Sequence, residues 1–215
     1  METGMFDHRI TSLDQLAALY PNPIAPASIA KEIDHLDANY AALIAASPFF
    51  VLATNGPEGL DCSPRGDLPG FVTVQDAKTL LIPDRRGNNR LDSLKNILSD
   101  PRVGMLFIVP GYGETLRVNG VATLSSDPEL CGRFEMTGKL PACVIVVTVE
   151  SVYFQCSRAV VRADLWNPTR HVARGELPSA GQILKDITSR DAAVATFDGE
   201  AYDKALPERI KATLY

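Results

Sequence analysis

The chain has 215 residues, with 46% apolar and 22% charged side chains, enough for one domain with a sizeable core or one domain carrying helical additions; this balance excludes a disordered chain. A formal net charge of -5 argues against a nucleic-acid partner, which calls for a basic face. The four cysteines (Cys62, Cys131, Cys143, Cys156) form no CxxC pair and the three histidines (His8, His35, His171) no HxxxH or HExxH spacing, which predicts reduced thiols in a cytoplasmic protein and no histidine-based metal site.

The first residues lack a basic stretch followed by an apolar run, so no signal peptide is expected. The longest apolar runs, near 41–46 and 143–147, are too short to cross a bilayer, so no membrane partner is expected. Ser12 is placed to cap a short helix whose Leu13, Leu16, Ala17 and Tyr20 share one face, and Pro21-Asn22-Pro23 ends it. Ile29, Ile33, Leu36, Tyr40, Leu43 and Ile44 recur at helical spacing and predict one helix over 28–46, with His35 on it as a surface or packing residue. The texture then changes. A strand is predicted over 49–54, a hairpin turn at Asn55-Gly56-Pro57-Glu58-Gly59, and a returning strand over 60–63. Strands over 71–74 and 79–82 flank a turn at 75–78, and a helix over 89–98 sets Leu91, Leu94, Ile97 and Leu98 on one face. Further strands are predicted over 103–109, 115–124 and 142–154, and helices return over 181–190 and 203–214. Strands joined by hairpins around one inserted helix predict a mainly β fold with α additions, a small antiparallel barrel in place of a parallel sheet.

Familiar catalytic patterns are missing: there is no GxSxG elbow and no P-loop. Gly111-Tyr112-Gly113 lacks the third glycine of a dinucleotide fingerprint and lies between two strands, so it reads as a turn. One segment stands out. Pro83-Asp84-Arg85-Arg86-Gly87-Asn88-Asn89-Arg90 sets three arginines and two asparagines ahead of a helix start, where free N–H groups and the helix dipole attract anions. Arginine adds a bidentate grip suited to phosphate, and Arg65 is a further cation near a strand end. On these residues alone the segment is either a small phosphate site or a solvated, well-capped loop.

Six stretches in succession resemble the pyridoxamine-5′-phosphate-oxidase-related FMN-binding proteins, in the branch of probable FMN-dependent enzymes. They are Ser47-Pro48-Phe49-Phe50-Val51-Leu52-Ala53-Thr54, Cys62-Ser63-Pro64-Arg65-Gly66-Asp67, Leu80-Leu81-Ile82-Pro83-Asp84, Gly87-Asn88-Asn89-Arg90-Leu91-Asp92-Ser93-Leu94, Asp100-Pro101-Arg102-Val103-Gly104-Met105-Leu106-Phe107 and Glu114-Thr115-Leu116-Arg117-Val118-Asn119-Gly120. The likeness runs from about residue 13 to 166 and again in the tail.

The resemblance implies a single FMN-binding split β-barrel over 1–215, with a helical extension (1–47), a barrel core (48–166) and a helical tail (167–215). It implies a homodimer with FMN where the subunits meet. Arg65 would grip the flavin phosphate, with Ser63, Pro64 and Gly66 on the same strand. Ile82, Pro83 and Asp84 would border the ribityl chain or isoalloxazine, and Asn88, Asn89 and Arg90 would complete the phosphate cradle. Thr115 would make a polar flavin contact, followed on the same strand face by Arg117. Trp166, the only tryptophan, would pack near the partner's flavin or serve ordinary interface or core packing.

The function so implied is an FMN-dependent oxidoreductase acting on an unidentified small molecule, with a nicotinamide donor or oxygen, because flavin performs the hydride transfer itself. Alternatives are a non-catalytic flavin store or sensor, a deazaflavin in place of FMN, and a true pyridoxamine 5′-phosphate oxidase. Against the last, the Arg-x-His pattern of those oxidases is replaced by adjacent Arg170 and His171.

Overall fold

The structure, a computed structural model, describes residues 8–190 and 197–215. The described residues form two compact units, which divide between residues 32 and 33.

In the first unit, α1 (Leu13–Leu19) is capped as its sequence predicts, the Ser12 hydroxyl accepting from the Gln15 N–H at 3.2 Å. Helix α2 (Pro26–Ala30) starts on proline, whose fixed φ and missing N–H suit the first turn. The single helix expected over 28–46 is two, because residues 31–37 leave the helical path. Ile33 exchanges backbone hydrogen bonds with Val152, the Leu36 N–H donates to Ala77 O, and Asp37 caps a new helix, α3 (Ala38–Ala46), by accepting from the Tyr40 N–H. Strand pairing here overrides a helical periodicity that was real but local.

The second unit continues with β1 (Phe49–Gly56), β2 (Gly59–Gly66), β3 (Thr73–Asp76), β4 (Thr79–Pro83), α4 (Asp92–Ser99), β5 (Arg102–Ile108), β6 (Thr115–Ser125), α5 (Pro128–Gly132), β7 (Val144–Gln155), α6 (Arg158–Ala163), a 3-10 turn (Pro168–Arg170), α7 (Ala180–Thr188) and α8 (Gly199–Ala212). The expected tail helices are present, displaced by a few residues; α5, α6 and the 3-10 turn, too short to carry a periodic signal, were not anticipated. Part of the helix expected over 181–190 borders residues 191–196, which lie outside the described residues.

The seven strands form one antiparallel sheet in the order β2-β1-β5-β6-β7-β4-β3, a mainly β split barrel with helices. Flat, the sheet would hold β2 and β4 five strand spacings apart, roughly 24 Å. Yet Arg65 on β2 touches Asp84, the residue after β4, at 2.7 Å. The sheet therefore rolls until its two ends meet, and its concave face encloses the core around Phe50, Leu52, Ile82, Phe107, Val118 and Val147. Strand alternation sets this up. Along β1, Phe50, Leu52 and Thr54 are buried while Phe49 and Ala53 are exposed.

Candidate functional site: a cationic cleft at the barrel seam

Cross-strand register decides which β2 side chains face inward. Asp61, Ser63 and Arg65 stand opposite Thr54, Leu52 and Phe50, all buried, so they line the inner face where the apolar core ends. Cys62, Pro64 and Gly66 alternate to the outer face. A polar stripe in that position needs partners, and the loop from β4 together with the first turn of α4 supplies them. The Asp61 carboxylate accepts from the Ser63 hydroxyl at 2.8 Å and the Ser93 hydroxyl at 2.6 Å. The Ser93 bond, helped by Ser63, the Cys62 backbone and the Arg65 charge, outweighs burial and holds Asp61 below the usual carboxylate value. Arg65 donates from Nη1 to Asp84 at 2.7 Å, while its Nε is buried without a partner.

These groups open into a cleft of about 580 Å³, within the usual range for small-molecule sites. Five cations, Arg65, Arg85, Arg86, Arg90 and Lys139, line it against three carboxylates, Asp61, Asp84 and Asp92. Not all five are free to act. Arg85 is committed to Asp67 through Nε and to Phe134 O through Nη1, both at 2.7 Å, whereas exposed Arg90 gives only its Nε to Asp92, at 2.8 Å. Helix α4 enters the cleft without a side-chain cap. Its N-cap residue is Leu91 in the left-handed region (φ 60), and Asn89 is left-handed too (φ 61). A branched apolar residue in that conformation costs roughly 1–2 kcal/mol, and such strain gathers where backbone is shaped for a ligand.

The expected site residues divide by sheet face. Ser63, Arg65, Asp84, Asn88, Asn89 and Arg90 line the cleft, and Pro64 also borders it although its side chain alternates to the outer face. Ile82 lies wholly inside the core and Pro83 is buried, because β4 is covered on both faces; neither reaches the cleft surface. Gly66 ends β2 in a transverse row with Phe49, Ile108 and Thr115. Thr115 and Arg117 alternate with buried Leu116 and Val118, so they sit on the outer face, opposite the cleft. Arg117 lies over the Tyr153 ring at 5.8 Å. The Trp166 indole N–H donates to Tyr112 O at 2.7 Å, beside the turn that starts β6. Cleft residues not anticipated from sequence include Asp61, Ser93, Lys139 and Tyr215. The period-two face shared by Asp61, Ser63 and Arg65 could have revealed the first, and Ser93 directly follows the arginine-rich loop; Lys139 and Tyr215 arrive through long-range packing.

Residues 36–156 match the family described as Pyridoxamine 5'-phosphate oxidase. The chain belongs to this family. The matched span is shorter than the resemblance read from sequence: it covers the cleft loop and both sheet faces but stops before Trp166 and Tyr215. A search of curated proteins finds no match. Among similar solved structures is HupZ from Group A Streptococcus, 16% identical over 57% of this chain and 95% of that one, with a TM-score of 0.47. General Stress Protein 26 from Bacillus anthracis is 16% identical over 53% and 88%, at 0.39. An FMN-binding protein from Syntrophomonas wolfei is 13% identical over 53% and 82%, at 0.42. Among the described residues no helix is long and apolar enough to cross a membrane, and no group of three or more His, Cys, Asp or Glu is placed to hold a metal ion.

Proposed function

We propose that this member of the pyridoxamine 5'-phosphate oxidase family is an FMN-binding oxidoreductase that works as a homodimer in the cytoplasm. The observation that carries the reading is the buried, unpartnered Nε of Arg65 in a cationic cleft at an uncapped helix start. A buried guanidinium N–H without an acceptor is costly, and a phosphate oxygen is the acceptor that this surround favours. The residues present fit a flavin mononucleotide on that ground. Arg65, Arg90 and the first N–H groups of α4 would hold the phosphate, with Asn88 and Asn89 shaping the loop. Asp61, which accepts from two serine hydroxyls, and Asp84, which accepts from Arg65, would also accept from the hydroxyl groups of the ribityl chain. Bound flavin supplies hydride transfer, so the protein's part is to bind and orient.

The dimer is supported by the division of the site. Thr115 and Arg117 are held on the opposite sheet face from the cleft, so one chain by itself does not bring them to it. The same outer face carries Phe49, 38% exposed, with half-buried Val51, Leu106 and Ile108 beside it, an apolar strip suited to a second copy. Cytoplasmic location accords with four free cysteines. Pyridoxamine phosphate is not the favoured substrate: Arg170 turns to Asp164 at 3.2 Å within the 3-10 segment, away from the spacing of the true oxidases. The favoured partners are an unidentified small molecule and a nicotinamide donor.

The test is anaerobic mixing of the FMN-loaded protein with NADPH, NADH and pyridoxamine phosphate separately. Bleaching of the flavin by a nicotinamide supports the reading; bleaching by pyridoxamine phosphate alone makes the protein an oxidase of that substrate, and no bleaching makes it a flavin store or sensor. Light scattering should give twice the chain mass.

A further inference from the structure

We infer that Tyr215 is a positioning residue of the cleft: it is latched to Asp67 through its hydroxyl, closes one side of the cleft and slows the escape of whatever binds there. The inference rests on the flavin reading only for the identity of the ligand.

Four observations carry it. Tyr215 lines the cleft together with Arg65, Asp84, Arg86 and Lys139, although it stands well over a hundred residues from the loop that builds the site. Its hydroxyl donates to Asp67 Oδ1 at 2.8 Å. Asp67 is itself a fixed point: its side chain is 1% exposed, its second oxygen accepts from Arg85 Nε at 2.7 Å, and it also accepts from the Leu68 N–H at 2.8 Å. The Arg85 guanidinium lies over the Tyr215 ring, 5.6 Å from its centre, and is pinned by Phe134 O. The phenol is thus held at both its polar tip and its ring. Burial would raise the Asp67 carboxyl, but the bonds from Tyr215, Leu68 and Arg85 outweigh it and keep the acceptor below the usual carboxylate value, so it is ionised at neutral pH. A phenol donating to a buried carboxylate makes the stronger, charge-assisted class of hydrogen bond.

This arrangement also explains Arg85. It is a cation of the cleft by position, yet its hydrogen bonds run away from the anion site, and its role is to hold Asp67 and the Tyr215 ring. Arg65 and Arg90 are left to grip the ligand. Two neighbouring arginines in the same loop therefore have different tasks, one binding and one bracing.

The experiment compares the full chain with Tyr215→Phe and Tyr215→Ala. In the ligand-free protein, nuclear Overhauser contacts between the Tyr215 ring and the Arg85 side chain report the latch directly. FMN release is then followed by the return of free-flavin fluorescence after dilution into excess competitor. Tyr215→Phe should release FMN about tenfold faster and Tyr215→Ala faster still. Absence of the ring contacts overturns the inference whatever FMN does. Wild-type release rates in both variants overturn it as well, since the tail would then lie beside the ligand without retaining it. Failure of the unmodified chain to bind FMN overturns the flavin reading, and the ring contacts alone then decide for or against the latch.

Discussion

Replacing Arg65 by alanine perturbs two things at once, and the structure separates them. The side chain pairs with Asp84 at 2.7 Å, the two being 20% and 14% exposed. Breaking a fully buried pair costs about 3–5 kcal/mol and a surface pair about 0–1, so this intermediate pair should cost about 1–3 kcal/mol of stability. Separately, the lost charge-assisted bonds to a phosphate should cost about 1.5–3 kcal/mol of FMN affinity, roughly ten- to a hundredfold. Riboflavin, which lacks the phosphate, should bind the variant nearly as it binds the parent. Removing Asp84 as well should recover much of the stability, because no carboxylate is then left without its cation, but none of the FMN affinity. The assays are fluorescence titration with FMN and riboflavin and urea unfolding of the single and double variants. Equal losses for FMN and riboflavin, or FMN affinity restored in the double variant, would show that Arg65 acts through the fold and not through the phosphate.

Gly120→Ala should destabilise the barrel by at least about 1–3 kcal/mol, because a Cβ there would stand 2.1 Å from the Thr148 carbonyl oxygen, and backbone cannot swing aside; an unchanged urea midpoint would refute this. Maleimide at pH 8 should modify exposed Cys62 and Cys156 well before buried Cys131 and half-buried Cys143, the latter thiol pushed up to about 11 by desolvation; mass mapping of early adducts reads the order. The Asp67 carboxyl is depressed in the fold, so in acid the unfolded chain takes up its proton first. Its contribution to stability should be complete above about pH 4 and be lost as pH falls through the folded value, and Asp67→Asn should flatten that acid limb of the unfolding profile. An identical limb in the variant would place the acid sensitivity elsewhere.

Much of this was legible in the sequence because strands announce their faces. The alternation in 49–54 gave β1 its buried face, and the hairpin turn at 55–59 fixed its register with β2. The arginine-rich loop could be located because its composition broke with an acidic chain. The continuous helix over 28–46 failed because Ile33 and Leu36 found backbone partners in Val152 and Ala77, contacts that no local pattern carries. Ile82 and Pro83 read as flavin-bordering residues from their place in a motif, and the structure adds that β4 is covered on both faces and buries both side chains. Assigning Thr115 and Arg117 to one strand face was straightforward from period two. That this face lies opposite the cleft depends on how the sheet rolls, which only the meeting of Arg65 with Asp84 makes visible. Tyr215 had no local signal at all.

The central claim is that the Arg65 cleft holds flavin mononucleotide. The most direct measurement is to purify the protein from cells, denature it, and identify by mass whatever chromophore is released, with and without Arg65→Ala. FMN, close to one per chain, is expected from the parent and much less from the variant. A deazaflavin, FAD, or a colourless protein that cannot be loaded with FMN would contradict it.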